Sequence, residues 1–493
     1  MKYISTRNNS QKVDAAQAVV NGMVPEGGLY VPEVIPTLSK EDIAALKDLS
    51  YQDLAKKILG LYLEDFSAEE IAHIVESAYN AESFDDEAIV PVKKIKEGLY
   101  VLELWHGPTA AFKDMALQLL PHLLVTSMKK VGVDKKVVIL VATSGDTGKA
   151  ALEGFKDVPG TAIITFYPNG GVSEVQELQM LTTGGSNTSM FAVEGNFDDC
   201  QRAVKEAFAN EDLLKKVDAA GAQFSSANSI NWGRLLPQIV YYFSAYMQLA
   251  RKGDIVMGDT IDFTVPTGNF GNILAGWFAR EMGLPVGKLV CASNANDVLD
   301  EFIQTGLYNA KRPFLKTKSP SMDILVSSNL ERFIYFMSER NGEEVAKDMA
   351  ALSADGQYKI TDEEFKRMRE VLKSGSADDM ATLDIIGQIY KESGYLLDTH
   401  TAIAVGVAER EAEGRAMVVD STANPYKFVG AVWQGVTGDA PQESDLKLLT
   451  TLSEKTGEPI HRALANLTEK EKCERTVITV ADINDVILKT IQG

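Results

Sequence analysis

The chain has 493 residues, more than one ordinary hydrophobic core supports, so two or three domains are expected. Hydrophobic residues make up 45% and charged residues 24%, the proportions of a soluble globular protein. With 49 basic against 69 acidic residues, the formal charge is −20, which argues against a nucleic-acid or anionic-membrane partner. An anionic substrate would need a local pocket, because the overall field repels it.

The cysteines indicate the redox compartment, and the histidines bear on whether the chain binds a metal. Cys200, Cys291 and Cys473 are isolated from one another and match neither a metal-binding pattern nor a disulfide framework, which favours a reducing cytoplasm. The opening MKYISTRNNSQ has no apolar run of the kind that a secretory signal needs. The histidines show no metal-ligand spacing, so no metal site is predicted.

Predicted elements change in character along the chain. Residues 1–95 carry charged helical patterns, and beyond them short β-branched runs alternate with helical segments, which predicts βαβ units and parallel sheets. Strands are expected at 136–141, 161–166, 190–193, 261–266, 289–292 and 416–419. Helices are expected at 115–120, 172–181, 198–209, 235–250 and 273–282. Residues from about 300 to 395 show polar helices and loops, which suggests an insertion or an extra subdomain.

Lys113 is the candidate reactive residue. It follows a Gly107-Pro108 turn and opens the predicted helix at 115–120. The positive end of a helix dipole lowers the pKa of a nearby ammonium group, and a partly neutral amine is what Schiff-base chemistry requires. The alternative is a surface lysine on an amphipathic helix.

Three polar loops at predicted strand ends or helix starts are candidate ligand sites, since open α/β sheets bind ligands at such positions. Residues 143–148 (TSGDTG) offer hydroxyls and N–H groups, but glycine spacing and Ala150 do not match a nucleotide-binding P-loop. Residues 267–272 (TGNFGN) could curl their N–H groups around a phosphate. Residues 225–234 (SSANSINWGR) combine amides, hydroxyls and an arginine that suit an oxyanion. Taken singly, each is also compatible with an ordinary turn or polar loop.

Together these segments resemble the threonine synthase family of the fold-type II pyridoxal-phosphate (PLP) enzymes. The resemblance spans most of the chain: YISTR and VPEGGLYVPEVIP near the start, ELWHGPTAAFKD, TSGDTG, ANSINWGR, PTGNFGN and the late DSTANPYKF. The fold it implies is α/β, with two doubly wound domains, the cofactor between them, and a mainly helical N-terminal domain. The implied division is an N-terminal domain at 1–95, a small domain at 136–224, and a large PLP-binding domain at 96–135 and 225–493, with the insertion at about 300–395.

The resemblance also implies roles for particular residues. Lys113 would carry PLP as a Schiff base, and Thr422 would share a hydrogen bond with the pyridine nitrogen. The cofactor phosphate would be held by Gly268, Asn269, Phe270, Gly271 and Asn272. Ser144, Asp146 and Thr147 would lie at the substrate carboxylate and the cofactor ring oxygen. Asn228, Ser229 and Arg234 would receive the substrate phosphate.

Asp146 departs from the pattern, because related fold-type II enzymes often carry asparagine at the corresponding place. A carboxylate beside the ring oxygen would repel it unless one of the two were protonated.

The implied reaction converts O-phospho-L-homoserine and water to L-threonine and phosphate, the last step of threonine biosynthesis. The expected partner is this small substrate, with no nucleic acid and no membrane, and the chain is expected to be a monomer or homodimer. Rival hypotheses are a phospholyase or hydroxyamino-acid dehydratase of the same group, a non-catalytic cofactor-binding sensor, and a nucleotide hydrolase built on residues 144–149.

Overall fold

The computed structural model describes residues 1–143 and 145–492, apart from the Asp198 side chain. Ser144, one of the predicted substrate-binding residues, lies outside the described residues. Strands of this part of the chain are β1 (Tyr3–Ser5), β2 (Tyr30–Pro32), β3 (Val92–Lys96), β4 (Leu99–Glu103), β5 (Lys136–Ala142), β6 (Thr161–Pro168), β7 (Thr188–Glu194), β8 (Ala222–Ser225), β9 (Ile261–Pro266), β10 (Val286–Ser293), β11 (Leu307–Asn309), β12 (Gln357–Lys359), β13 (Leu372–Ser376), β14 (Met417–Ser421) and β15 (Thr476–Thr479).

The α-helices cover the sheets and build the N-terminal region. They are α1 (Ala15–Asn21), α2 (Lys40–Ala45), α3 (Tyr51–Tyr62), α4 (Ala68–Ala78), α5 (Asp114–Leu117), α6 (Leu120–Val131), α7 (Asp146–Phe155), α8 (Glu174–Leu181), α9 (Phe197–Ala209), α10 (Glu211–Ala219), α11 (Trp232–Lys252), α12 (Gly271–Glu281), α13 (Val298–Thr305), α14 (Leu330–Met337), α15 (Gly342–Asp355), α16 (Asp362–Val371), α17 (Asp379–Ser393), α18 (Thr399–Glu411), α19 (Val429–Thr437), α20 (Asp445–Thr456) and α21 (Ile483–Gln492). Short 3-10 turns lie at Pro320–Met322, Pro425–Phe428, Leu467–Glu469 and Val480–Asp482. None of the helices within residues 1–143 and 145–492 has the length and apolar composition that a membrane span requires.

The larger sheet has six strands in the order β13-β10-β9-β14-β4-β3, all parallel except the β3–β4 pair. Strands β9 and β14 are buried along their whole length and are mainly apolar, whereas the edge strand β3 is mostly exposed. Helix α11 is buried from Trp232 to Ala250, so the predicted core helix at 235–250 is confirmed. The ends of β4, β9 and β14 lie at one edge of the sheet, and each leads into a predicted site segment.

The smaller sheet has five parallel strands in the order β15-β7-β6-β5-β8. Alternate residues of β5 face two different hydrophobic clusters: Val137, Ile139 and Val141 face one, and Val138 and Leu140 face the other. This alternation follows from the two-residue period of a strand. The carboxyl end of β5 leads to the start of α7, where Asp146 lies.

The N-terminal region is mainly helical, as expected, with a short antiparallel pair of β1 and β2. Its helix starts are set by local chemistry. Ser67 at the start of α4 accepts the N–H of Glu70, whose side chain accepts the Ser67 N–H in return.

Two expectations about organisation need correction. Residues 225–493 were assigned to the large domain, but β15 pairs with β7 and α21 packs on the small sheet, because Ile478, Ile483 and Ile487 complete its apolar face. The segment at about 300–395 is predicted to be an insertion or an extra subdomain, yet it contains β13, an edge strand of the large sheet beside β10. The predicted helix at 115–120 is also divided into α5 and the start of α6.

Candidate active site

Lys113 is held at the end of the large sheet by backbone pairing. Phe112 donates its N–H to the Thr422 carbonyl at 2.8 Å, and Asn424 donates to the Ala110 carbonyl at 3.0 Å. The segment before Lys113 therefore runs beside the residues that follow β14. This pairing brings Lys113 and Thr422, which are distant in sequence, to the same strand end.

The Lys113 side chain is largely buried. It is 12% exposed, and its Nζ lies 4.9 Å from the centre of the Phe112 ring. Burial lowers the pKa of Lys113 to about 8, with Lys427 and Arg234 acting in the same direction and Asp146 opposing them. The helix-dipole explanation is thus the weaker one: α5 has only four residues, and burial is the main cause.

Asp146, the first residue of α7, is a buried carboxylate between two ammonium groups. Its Oδ1 lies 2.9 Å from the Lys427 Nζ and accepts from the Gln176 amide at 3.0 Å. Its Oδ2 lies 4.0 Å from the Lys113 Nζ and accepts from the Ser321 hydroxyl at 3.3 Å. Burial alone would raise the pKa of Asp146, but the two lysines hold it well below its usual range. The carboxylate is therefore charged.

The loop between β9 and α12 presents free backbone donors at a helix start. None of the N–H groups from Gly268 to Ile273 donates a hydrogen bond to another described residue. Phe270 adopts a left-handed conformation with φ 64°, and no side chain among the described residues caps α12. The carbonyls of this loop are occupied, because Ser327 donates to that of Gly268 and Asn329 donates to that of Asn269. The loop has the donors and the dipole of an anion site.

The Asn272 side chain contacts two tyrosines of α11. Its Oδ1 accepts from Tyr241 and lies 2.7 Å from the Tyr242 hydroxyl, which also lies 3.0 Å from the buried Asp420 carboxyl. Burial raises the pKa of Asp420 to about 7. The Asn272 side chain therefore ties α12 to α11, and its Nδ2 has no hydrogen-bond partner among the described residues.

Arg234, in the first turn of α11, is a buried cation without an acidic partner in the described part of the chain. One Nη donates to the Ala227 carbonyl, and the Nε finds no partner among the described residues. Burial lowers the pKa of Arg234 to about 10. A buried guanidinium with an unused donor is costly unless an anion pairs with it.

The remaining predicted residues lie on the same loops. Asn228 is exposed, and the Ser229 hydroxyl lies 3.5 Å from that of Ser328. Thr147 is half-buried in the first turn of α7, and Thr422 is buried directly after β14.

Sequence reasoning missed Lys427 and the serines between 321 and 328. Lys427 lies within the quoted DSTANPYKF segment, but nothing local shows that its ammonium meets Asp146. Ser321, Ser327 and Ser328 come from the segment interpreted as an insertion, and they contact three of the predicted loops. For these serines, the sequence signal is that they cluster in a polar segment, which does not show that they belong to the site.

His106 has a structural role. Its Nδ1 lies 2.6 Å from an Asp85 oxygen and its Nε2 lies 2.9 Å from a Glu103 oxygen. Burial opposes protonation, but hydrogen bonds to these carboxylates raise the pKa of His106 to about 9. The charged imidazolium ties the end of β4 to the loop after α4. Within the described ranges, His, Cys, Asp and Glu side chains form no group of three placed to hold a metal ion.

These groups fit PLP. A buried amine with a lowered pKa suits its aldehyde, and the free N–H groups before α12 suit its phosphate. Lys113 and the residues from Gly268 to Asn272 would hold the cofactor, with Thr422 and Asp146 beside them. The unpaired Arg234 guanidinium remains available for a second anion.

Known proteins are similar to this chain in sequence. Residues 2–79 match the family described as "Threonine synthase N terminus", and residues 87–419 match "Pyridoxal-phosphate dependent enzyme". A threonine synthase of Pseudomonas aeruginosa is 42% identical over 444 residues, covering 90% of this chain and 92% of that protein. One of Methylobacillus glycogenes is 37% identical and covers 92% of this chain and 96% of that protein.

Solved structures of threonine synthases have the same fold over nearly the whole length of this chain. The PLP-bound threonine synthase from Brucella melitensis superimposes with a TM-score of 0.89 at 35% identity, covering 100% of both chains. The threonine synthase from yeast gives 0.89 at 31% identity, covering 99% of this chain and 98% of that one. The chain therefore belongs to the threonine synthase family of PLP-dependent enzymes.

Proposed function

We propose that the chain converts O-phospho-L-homoserine and water to L-threonine and inorganic phosphate at Lys113. The observation that carries the proposal is the presence of two separate sets of unpaired donors, suited to two anions, together with one buried amine. Free N–H groups before α12 suit the cofactor phosphate, and the unpaired Arg234 guanidinium suits the phosphate of the substrate. The names of the similar threonine synthases support the same reaction.

The base of the reaction is the Lys113 amine. When bound, PLP supplies an electron sink for the charge that develops at the substrate Cα. With a pKa of about 8, roughly a tenth of the Lys113 amine is neutral at pH 7, against fewer than about one in a thousand for an ordinary lysine. Burial therefore makes Lys113 able to accept the Cα proton near neutral pH.

The substrate phosphate is held by Arg234 with Asn228 and Ser229 beside it. As the Cγ–O bond breaks, the departing phosphate takes up the Cβ proton within this anion site. The Lys113 ammonium then gives the proton that it took from Cα to Cγ. Water adds its hydroxyl at Cβ, and its remaining proton passes through the neutral Lys113 amine to Cα.

Replacement of Lys113 by alanine tests the proposal. The wild-type protein should be yellow with PLP and release phosphate from O-phosphohomoserine, with threonine as the organic product. Lys113→Ala should lose the covalent cofactor and slow phosphate release by about 10²–10⁴-fold. Lys149→Ala is the matched control, since Lys149 is also buried but pairs with Glu153 in α7.

Product analysis separates the rival activities. If the wild type forms 2-oxobutanoate in place of threonine, the activity is that of a phospholyase. If it stays colourless with PLP, or if Lys113→Ala keeps full activity, the proposal fails.

We further propose a cytoplasmic location and a monomeric or homodimeric state. Cys200 and Cys291 are buried free thiols and Cys473 is an exposed one, which suits a reducing compartment. We also retain the division into an N-terminal, a small and a large domain, with residues 476–492 now placed in the small one.

A further inference from the structure

Lys427 is a second lysine at the site, and its ammonium group is more deeply buried than that of Lys113. Its side chain is fully buried, whereas that of Lys113 is 12% exposed. The Lys427 Nζ lies 2.9 Å from the Asp146 Oδ1 and donates to the Thr109 carbonyl at 2.8 Å. A buried ammonium is costly without such partners, so Asp146 and Lys427 depend on each other.

One carboxylate is thus shared by two ammonium groups at unequal distances. Asp146 uses Oδ1 for Lys427 at 2.9 Å, while Oδ2 stays 4.0 Å from Lys113. The Gln176 amide and the Ser321 hydroxyl fill further positions on the carboxylate. Lys427 and Gln176 thus engage Oδ1, while Oδ2, the oxygen that faces Lys113, accepts only from Ser321.

We propose that Lys427 is a positioning residue: by pairing with Asp146 at 2.9 Å it compensates the charge of the carboxylate, weakens the attraction of Asp146 for the Lys113 ammonium, and so keeps the Lys113 amine free to react. Without Lys427, the buried carboxylate has Lys113 as its nearest remaining cation. The two would then pair closely, and Lys113 would stay protonated.

Four charged side chains from different elements act on the Lys113 amine. Asp146 comes from α7 and Asp114 from α5, while Lys427 follows β14 and Arg234 comes from α11. Removing a positive neighbour favours the protonated amine, and removing a negative one disfavours it. Changes at Lys427 and Asp146 must therefore move the titration of Lys113 in opposite directions.

The experiment compares Lys427→Met, Asp146→Asn and the double variant in the full-length, cofactor-free protein. An amine-reactive reagent is applied across pH, and the labelling rate of Lys113 is followed by peptide mass spectrometry. Wild type should show a midpoint near pH 8. Lys427→Met should move it up by about one unit, on the order of tenfold slower labelling at pH 7, and Asp146→Asn should move it down. The double variant should return toward wild type.

Lys149→Met is the matched control. Lys149 is a buried, paired lysine on the same helix as Asp146, and its loss should not move the Lys113 midpoint. A Lys427→Met midpoint equal to that of wild type, or a shift in the same direction for both single variants, overturns the proposal.

Folding provides a second readout. Lys427→Met leaves a buried carboxylate poorly compensated, so its thermal midpoint should fall, and Asp146→Asn in the same chain should restore much of the loss. If Lys427→Met does not fold, the double variant provides the test. A double variant that folds and labels at Lys113 nearly as wild type does supports the proposal. A double variant that is as unfolded as Lys427→Met overturns it. The proposal rests on the role proposed for Lys113. Because the labelling measurement needs no turnover, a negative labelling result can be distinguished from a negative phosphate-release assay.

Discussion

Arg234 shows how one side chain can point to a ligand. Long cationic side chains are rarely buried without a carboxylate partner, because the desolvation of the charge is then uncompensated. Arg332, equally buried, differs in that its guanidinium donates to the Tyr30 and Ile230 carbonyls and to Asn329. Arg234 donates to one carbonyl and leaves its Nε unused among the described residues. That unused donor is what a phosphate would engage.

We therefore expect Arg234→Gln to raise the KM for O-phosphohomoserine by about 10- to 100-fold, the loss of roughly 1.5–3 kcal/mol from a charge-assisted hydrogen bond. Inhibition by inorganic phosphate should weaken in parallel, because the product uses the same guanidinium. Steady-state kinetics with phosphate as competitor measures both. Arg415→Gln, at a half-buried ion pair with Asp262, should leave both constants unchanged. An unaltered phosphate inhibition constant in Arg234→Gln would remove Arg234 from the phosphate site.

At the scale of elements, the site depends on the close approach of α7 and α5. Gly154 near the end of α7 lies so close to α5 that a Cβ there would meet the Leu117 carbonyl oxygen at 2.0 Å. A glycine is required because the obstacle is backbone, which does not move aside as a side chain does. Asp146 begins α7 and Lys113 precedes α5, so this contact sets the separation of the two groups.

Gly154→Ala should push α7 from α5 and destabilise the protein by about 1–3 kcal/mol, the usual range for overpacking. Because Asp146 moves with α7, PLP should also bind more weakly. Thermal unfolding and equilibrium titration with PLP measure the two effects. Gly60→Ala is the control: in α3 its Cβ meets only the Ile71 Cδ1 at 3.8 Å, so it should be neutral or slightly stabilising. A Gly154→Ala protein as stable as wild type would contradict this account.

At the scale of the whole molecule, the C-terminus returns to a sheet that the chain left about 250 residues earlier. Strand β15 extends the small sheet beside β7, and α21 covers its apolar face through Ile483 and Ile487. Arg475 adds an ion pair with Glu177 of α8. The small sheet is therefore completed by residues that lie far from it in sequence.

Ile487→Ala should cost about 2–5 kcal/mol, because Ile487 is fully buried in this cluster. The loss should concentrate in the small sheet: amide hydrogen exchange should accelerate in β5 to β7 more than in β9 or β14. Lys489→Ala, on the exposed side of α21, is the control. Uniform acceleration in both sheets would show that α21 does not stabilise the small sheet in particular.

Local patterns were enough for the strand–loop–helix units. The strand at 261–266 was predicted to the residue, and those at 136–141 and 161–166 nearly so, because buried parallel strands have apolar runs bounded by glycine-rich turns. The same patterns predict Lys113, Gly268 and Arg234 as site residues, because each lies in or beside such a turn.

What could not be predicted lies in contacts between distant segments. The pairing of Lys427 with Asp146, the hydrogen bond from Ser321 to Asp146, and the places of β13 and β15 at sheet edges all join residues far apart in sequence. Periodicity and turn chemistry are short-range signals, so they specify which residues form an element but not which elements meet. Burial, which sets the charge state of Lys113 and Asp146, arises only when the sheets and helices pack together.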